Sequence, residues 1–358
     1  ELVGTWTGKT TGLYSTTRTS SLNNTIYWKV VVNDGNNEST SPIWKIELRN
    51  KYHDWRWHTG DSDSSERAYV AISGDGRFIV AGSASDDEIQ LYDYETGSDG
   101  TLWDDDLGEG IVAVAISKDG KYFAAGTETK LILYRTNYST DTDDAEPQLV
   151  WSHNWGSSPR DIVISHDGSY VAAQDSNNNA KMFNRSSSTA IWIITGTINS
   201  IDISADGQYI AVGTRNSDNY PTARFYHRES ITPLWEYIAI TSSSYAFGSI
   251  EVSADANYIA ASWTHESNDN HNSVVDVLDK QGKHIFWDTM YNGYRDKLSV
   301  SLSDNGSLLV ATDRHYIRSY KQITDSDGDK TYQSVWNGYT GCCYHAGTDI
   351  SSDGQYIV

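Results

Sequence analysis

The acidic run Asp325-Ser326-Asp327-Gly328-Asp329 is the best local arrangement for chemistry in this chain. Carboxylates at the first, third and fifth positions of a tight loop can converge on a hard cation through oxygen ligands, and a glycine permits the turn. Here the glycine falls fourth and the twelfth position is Trp336, so the bidentate carboxylate that closes an EF-hand loop is missing. A carbonyl, waters or a second loop would have to complete the shell. Calcium is the one cofactor the residues themselves raise, and a plain solvated hairpin loop is the competing reading of Asp325, Asp327 and Asp329.

Cys342 and Cys343 are the whole thiol inventory, which excludes a disulfide framework and a cysteine-rich zinc site. Adjacent Cα atoms sit ~3.8 Å apart across a trans peptide, below the usual disulfide span, so a bridge between them must distort the backbone. A strained structural bridge is expected, because an unpaired exposed thiol is a liability in an oxidising compartment. Two thiols pointing to opposite sides remain the alternative.

No Gly-x-Ser-x-Gly, His-Glu-x-x-His, Walker-type or Cys-x-x-Cys motif occurs, and the ten histidines are scattered singly, His265 and His271 being the nearest approach to a cluster. No catalytic residue can be named, and a non-catalytic protein is expected. Asn-x-Ser/Thr triplets at Asn23, Asn37, Asn137 and Asn184 are candidate glycan acceptors if the protein is exported. A fifth, Asn305, sits inside a tight turn and is the poorest of them.

The elements that must carry these groups repeat. Val70-Ala71-Ile72-Ser73-Gly74-Asp75-Gly76-Arg77-Phe78-Ile79-Val80-Ala81-Gly82 recurs as Val114-Ala115-Ile116-Ser117-Lys118-Asp119-Gly120-Lys121-Tyr122-Phe123-Ala124-Ala125-Gly126. The turn pair returns at Asp167, Asp206, Asp255, Asn305 and Asp353, with spacings of 44, 48, 39, 49, 50 and 48 residues from Asp75 onward. Such periods mark propeller blades and repeat arrays. Alternation of apolar and polar residues around Asp-Gly is a strong hairpin signal, so each copy reads as two antiparallel strands. A third strand follows, ending in pairs such as Leu91-Tyr92 and Leu133-Tyr134, then a fourth carrying Trp103, Trp151, Trp192, Trp235, Trp287 or Trp336 as a wedge against the neighbouring sheet.

The seventh copy stops at Val358, inside its second strand, whereas Leu2 to Trp6 reads as the end of a second strand, Thr25 to Val32 as a third and Pro42 to Lys45 as a fourth. Closing a ring with strands from both ends removes free sheet edges. One all-β domain over residues 1–358 is predicted: a seven-bladed β-propeller of four antiparallel strands per blade, its closing blade shared between N- and C-terminal strands. Strand exchange between chains would use the same pairing and give an open polymer.

Long loops fall mainly on one face of such a ring and carry Tyr14, Trp55, Trp57, Tyr245, Phe247, Tyr291 and Tyr294. Exposed rings on one face suit recognition, including stacking on sugars, while packing within their own loops is the bland alternative. Composition narrows the partners. With 27 basic and 48 acidic side chains the net charge is −21, which repels phosphate backbones and anionic lipid. Nucleic acid and anionic membrane surfaces are excluded as expected partners. The 13 Trp and 24 Tyr argue for a folded chain. The longest apolar runs, such as Ile111 to Ile116, are far short of the roughly 20 residues that cross a bilayer as a helix. Opening on Glu1 rather than Met, the chain is expected to be processed or partial.

The pattern Val-x-Ile-Ser-x-Asp-Gly-x-Tyr-Ile-Ala-x-Gly-Thr, with a third strand ending Leu-Tyr-Asp and a later Trp, resembles the WD40-like, quinoprotein-like (YVTN-type) repeats of archaeal and bacterial secreted or cell-surface proteins. The likeness covers essentially the whole chain and implies a propeller outside the cell or on its surface. Third strands end in pairs such as Leu91-Tyr92 where eukaryotic WD40 repeats have Trp-Asp. The docking signature of quinone-dependent dehydrogenases survives as Glu95-Thr96-Gly97 before Trp103 and Gln281-Gly282-Lys283 before Trp287, and the resemblance gives Cys342-Cys343 a third reading, a vicinal bridge beside a quinone. The leading expectation is a structural or protein-interaction module, binding other proteins or itself in a filament or surface layer. The alternatives are a carbohydrate-binding propeller and a quinone- or calcium-dependent oxidoreductase or lyase.

Overall fold

The computed structural model describes residues 24–28, 31–33, 38–40, 44–48, 68–93, 101–137, 146–242, 245–265, 272–291, 298–313, 316–339 and 350. Among them every regular element is a strand. The chain divides into two compact units, Glu1–His58 and Thr59–Val358. In the first, Asn24–Trp28 pairs antiparallel with Trp44–Leu48, with Trp28 opposite Trp44, and Val31–Asn33 pairs with Glu38–Thr40. The stretch expected as one third strand is therefore two short ones.

The second unit holds six four-stranded antiparallel meanders, spanning residues 68–106, 111–154, 159–194, 200–237, 245–291 and 299–339 and called here sheets one to six. The seventh turn marker, Asp353-Gly354, lies outside the described residues. Of its surroundings only Ile350 is described, in an isolated bridge and buried.

One four-residue device shapes every sheet. In Ser-x-Asp-Gly the serine hydroxyl donates to the aspartate (Ser204 Oγ to Asp206 Oδ1, 2.7 Å) and accepts the amide five residues on (Tyr209 N to Ser204 Oγ, 3.0 Å), while the aspartate accepts the amide of Gln208 at 2.9 Å. The glycine takes the left-handed conformation, φ +65° at Gly207. Ser73, Ser117, Ser165, Ser253 and Ser303 do the same, with Asn305 replacing the aspartate in sheet six and Ala256 the glycine in sheet five at φ +57°. Each serine is buried, and its hydroxyl supplies the polar partners that the enclosed turn requires.

The second residue of that turn joins one sheet to the next. Gly74 N donates to Lys118 O (2.9 Å), His166 N to Ala205 O (3.0 Å), Ala205 N to Ala254 O (3.0 Å) and Ala254 N to Asp304 O (2.7 Å); between sheets two and three the donor is Asp119 N, to His166 O at 3.1 Å. First strands of successive sheets lie side by side. Lys118 Nζ also comes within 3.7 Å of Asp304 Oδ1, linking sheets two and six directly, so the sheets curl about a common axis.

The side chains between the sheets follow from that geometry. Second strands are nearly fully buried and small near the axis, as in Tyr122–Thr127 and Tyr170–Asp175, where neighbouring sheets are closest. Farther out the sheets diverge and rings fill the gap. Between sheets one and two Phe123 stacks on Tyr134 with centroids 5.0 Å apart, and Tyr134 meets Trp103 at 5.3 Å. Trp151 and Trp235 also bridge sheets, their ring N–H groups donating to Arg185 O and Lys280 O of the next one. Two expected wedges fail: Trp336 in sheet six is 52 % exposed, with Tyr332 of the same strand buried instead, and Trp287 in sheet five points outward. Phe286 pairs with Val277 in register and packs inside, so strand alternation turns its neighbour Trp287 to solvent.

Candidate functional site

A cleft of about 340 Å³ opens where the first strands of sheets three, four and five begin. Arg160, Asn199 and Gly248 hold the same repeat position in these three sheets, five residues before the buried turn serines Ser165, Ser204 and Ser253, and all three line the cleft. Asp161 and Ser200, one position further along, line it too.

The sequence opens a cleft here because the repeat is broken. Nine residues after the turn serine, sheets one, two and four carry Gly82, Gly126 and Gly213, onto which the next sheet packs so closely that an added Cβ would overlap Ile111, Pro159 and Phe247 respectively. Sheet three has Gln174 instead. Its amide Nε2 donates to the carbonyls of Asp175 and Ile198, so the side chain stands in the space that the glycine elsewhere leaves for the neighbouring sheet. A bulge at Pro159 to Asp161 leaves Arg160 as the extra residue, so that Arg160 and Asp161, adjacent in a strand, both reach the cleft.

The polar groups divide by role. Asp161 Oδ2 accepts Ser200 Oγ (3.2 Å) and Ile201 N (3.1 Å), tying sheet three to sheet four. Asp202 Oδ2 accepts Val252 N at 2.6 Å and Ser249 Oγ accepts Val300 N at 2.8 Å in the same manner. These side chains latch the inner strands together. Desolvation beside the axis pushes the Asp202 carboxyl well above the usual carboxylate range, with the charge of Asp161 adding to the shift and Lys118 opposing it. His166, at the far end of the inner strands, is held below the ordinary imidazole value mainly by desolvation. By contrast the Arg160 guanidinium is exposed and, among the described residues, has no ion pair or hydrogen bond, and Asn199 Oδ1 is enclosed without a donor among them. Those two groups are not spent on the fold.

A second feature lies on the outer edge. Where third and fourth strands pair, sheets one, two, three, five and six slip register beside the wedge ring, leaving Leu102, Val150, Ile191, Ile285 and Val335 as the extra residue. In sheet four Leu234 holds the same place, its N–H on Phe225 O. In sheets two, three and four the aliphatic residue is turned outward as the ring turns in, and in sheet six it is exposed beside a similarly exposed Trp336, whereas Leu102 and Ile285 pack against the core. Val150, Ile191, Leu234 and Val335 are 37, 45, 56 and 56 % exposed. The aliphatic-aromatic pair is plain in the sequence; the bulge that everts one member is not.

The expected site residues are placed as follows. Asp325 is spent on its own loop, its Oδ1 accepting Asp327 N (3.0 Å) and Asp329 N (2.9 Å), while Asp329 lies 3.5 Å from Lys283 Nζ. Among the described residues no group of three His, Cys, Asp or Glu side chains is placed to hold a metal ion. Phe247 is a correction to the recognition face: it is buried, edge-on to Trp263 at 4.7 Å, because it fills the gap over Gly213. Tyr245 is half-buried in the same cluster. Tyr14, Trp55, Trp57, Tyr294, Asn23, Asn37, Cys342 and Cys343 lie outside the described residues, as does the Tyr291 side chain. Asn137 takes φ +49°, and Asn184 accepts the amide and hydroxyl of Ser186. His284 Nε2 lies 2.9 Å from Asp276 Oδ1, an acid-imidazole pair, yet Asp276 is buried against Trp263 and among the described residues no hydroxyl is hydrogen-bonded to His284.

No protein family matches the sequence, and no curated protein does. Among solved structures the chain is similar to one in Kuenenia stuttgartiensis hydrazine synthase, at 14 % identity and a TM-score of 0.60 over 81 % of this chain and 90 % of that one. It is also similar to a chain of a mitotic checkpoint complex, at 12 % identity and a TM-score of 0.57 over 81 % and 85 %. Likeness at that identity is a likeness of fold alone. Six phased, four-stranded antiparallel sheets curled about one axis make that fold a β-propeller.

Proposed function

We propose that this chain is a non-catalytic, secreted or cell-surface propeller that works as an interaction module, its partners being other proteins or further copies of itself. The observation that carries the reading is the everted aliphatic residue beside the fourth-strand wedge, exposed at Val150, Ile191, Leu234 and Val335. Edge strands usually carry charge or proline to discourage pairing. Here successive outer edges present apolar side chains, which stabilise only when covered. Assembly through the rim gives a filament or layer, the form that suits a surface protein, and the sequons at Asn137 and Asn184 suit export.

The closing blade belongs to the same proposal. Val70 and Ile72 on the first strand of sheet one are 68 and 52 % exposed, whereas their repeat equivalents in sheet four, Ile201 and Ile203, are 1 and 6 % exposed against sheet three. A seventh sheet made from the C-terminal strands and the N-terminal pair would cover them.

Sedimentation of the full chain over a wide concentration range, with imaging of the particles, tests the reading. Wild type is expected to assemble, and Val150→Lys with Ile191→Lys to stay monomeric with unchanged melting. A wild type that remains a monomer at high concentration, or assembly indifferent to those substitutions, overturns the rim as the contact surface.

A further inference from the structure

We propose that the cleft at the head of sheets three to five is a binding site for a sugar carboxylate, a uronic acid unit of a free saccharide or a glycan end. This assignment is independent of the rim as an interaction surface.

Three properties of the cleft lead there. The first is charge. Arg160 offers an unengaged planar fork, which suits bidentate contact with a carboxylate. Although the protein carries −21 overall, charges farther than about 8 Å are largely screened at physiological ionic strength, so the ions of the lining decide: Arg160 faces the ligand unengaged, while Asp161, the one acidic group of the lining, is held by Ser200 Oγ and Ile201 N. The second is hydrogen bonding. Asn178 and Asn199 line the cleft with side-chain amides that can both donate and accept, and Gln174 Oε1 can accept, Gln174 Nε2 and Ser200 Oγ being engaged within the protein, which still matches several hydroxyl groups on one ligand. The Asn199 oxygen has no donor among the described residues, so turning that amide toward a ligand hydroxyl forfeits no existing bond to Oδ1. The third is what is lacking. Ile198 is the one sizeable apolar side chain of the lining, so a free amino acid or peptide end would find little surface for an apolar side chain, whereas a polyhydroxylated ring needs little. A volume of about 340 Å³ stands at the small end of ligand pockets, roughly 300–1,000 Å³, and suits one sugar unit.

The experiment is titration calorimetry, with ligand-observed NMR for weak binding, of the full chain against glucuronate, glucose and serine. Glucuronate is expected to bind saturably and about ten- to a hundredfold better than glucose, the range lost with one charge-assisted contact. Arg160→Gln is expected to bring glucuronate down to the level of glucose without moving the melting temperature, since Arg160 supports no other side chain, and Arg160→Lys to restore part of the preference. Absence of glucuronate binding, equal binding of glucose, stronger binding of serine, or a preference that survives Arg160→Gln overturns the assignment. The variant Val150→Lys with Ile191→Lys is expected to keep glucuronate binding, so failure at the rim and failure at the cleft read out separately.

Discussion

A single carboxylate illustrates how this acidic chain holds its charges. Glu109 accepts Lys130 Nζ at 2.7 Å, Thr127 Oγ1 at 2.6 Å and Thr129 Oγ1 at 2.7 Å. The contact with Lys130, seconded by the threonine hydroxyls, lowers its pKa from 4.5 to about 2. A carboxyl with a folded-state pKa below its unfolded value favours the fold at pH above 4.5 and loses that contribution as the pH falls through about 2. The contribution is at most about 3 kcal/mol, reduced by solvent screening of a partly exposed pair. Urea midpoints measured from pH 6 downward are therefore expected to drop more steeply for wild type than for Glu109→Gln between about pH 4.5 and 2. Parallel curves would show that the cluster contributes nothing.

At the scale of the element, the repeated turn is where local sequence has most control. Ser204 is fully buried, and its hydroxyl is shared between Asp206 and the Tyr209 amide. Ser204→Ala leaves an enclosed amide without a partner, at a cost of about 1–3 kcal/mol. Asp206→Asn is expected to cost much less, because Asn305 already plays that part in sheet six. Equilibrium denaturation of the two variants checks the order, and an equal loss for both would place the stabilisation in the aspartate charge. Element scale is also where reading from sequence faltered. Tryptophan in the fourth strand predicts the wedge correctly in sheets two and four, but a shift of one residue puts Phe286 inside and Trp287 out, since only cross-strand register tells which of two adjacent rings faces in.

For the whole molecule, the unequal exposure of equivalent residues is informative. The first strands of sheets two to six are each covered by the preceding sheet, and Val70 and Ile72 on sheet one have no such cover among the described residues. The closing blade proposed above would draw on residues 350–358, which begin with the buried Ile350, so their removal tests it. The shortened chain should melt several degrees lower and bind a hydrophobic dye that the full chain does not; unchanged melting and no dye binding would mean that the ring is closed without them. Lys118 and Asp304 meet although 186 residues apart in the numbering, a contact that exists only because the sheets curve round an axis.

The sequence by itself determined the strand meanders, their phase and the turns between them, because those depend on contacts within a few residues: alternation, Asp-Gly and the serine that braces it. The interruption at the cleft, Gln174 where sheets one, two and four have glycine, is visible in the sequence only once the repeats are aligned on their turn serines. What the tertiary structure alone decided is which of these residues share a space. Arg160, Asn199 and Gly248 are some forty to fifty residues apart in the chain and become neighbours through the side-by-side packing of first strands, and Phe247 becomes core through a gap left by a glycine in another sheet. Neighbourhood across sheets is fixed by ring packing, which leaves its trace along the chain in the period of the repeat and nowhere else.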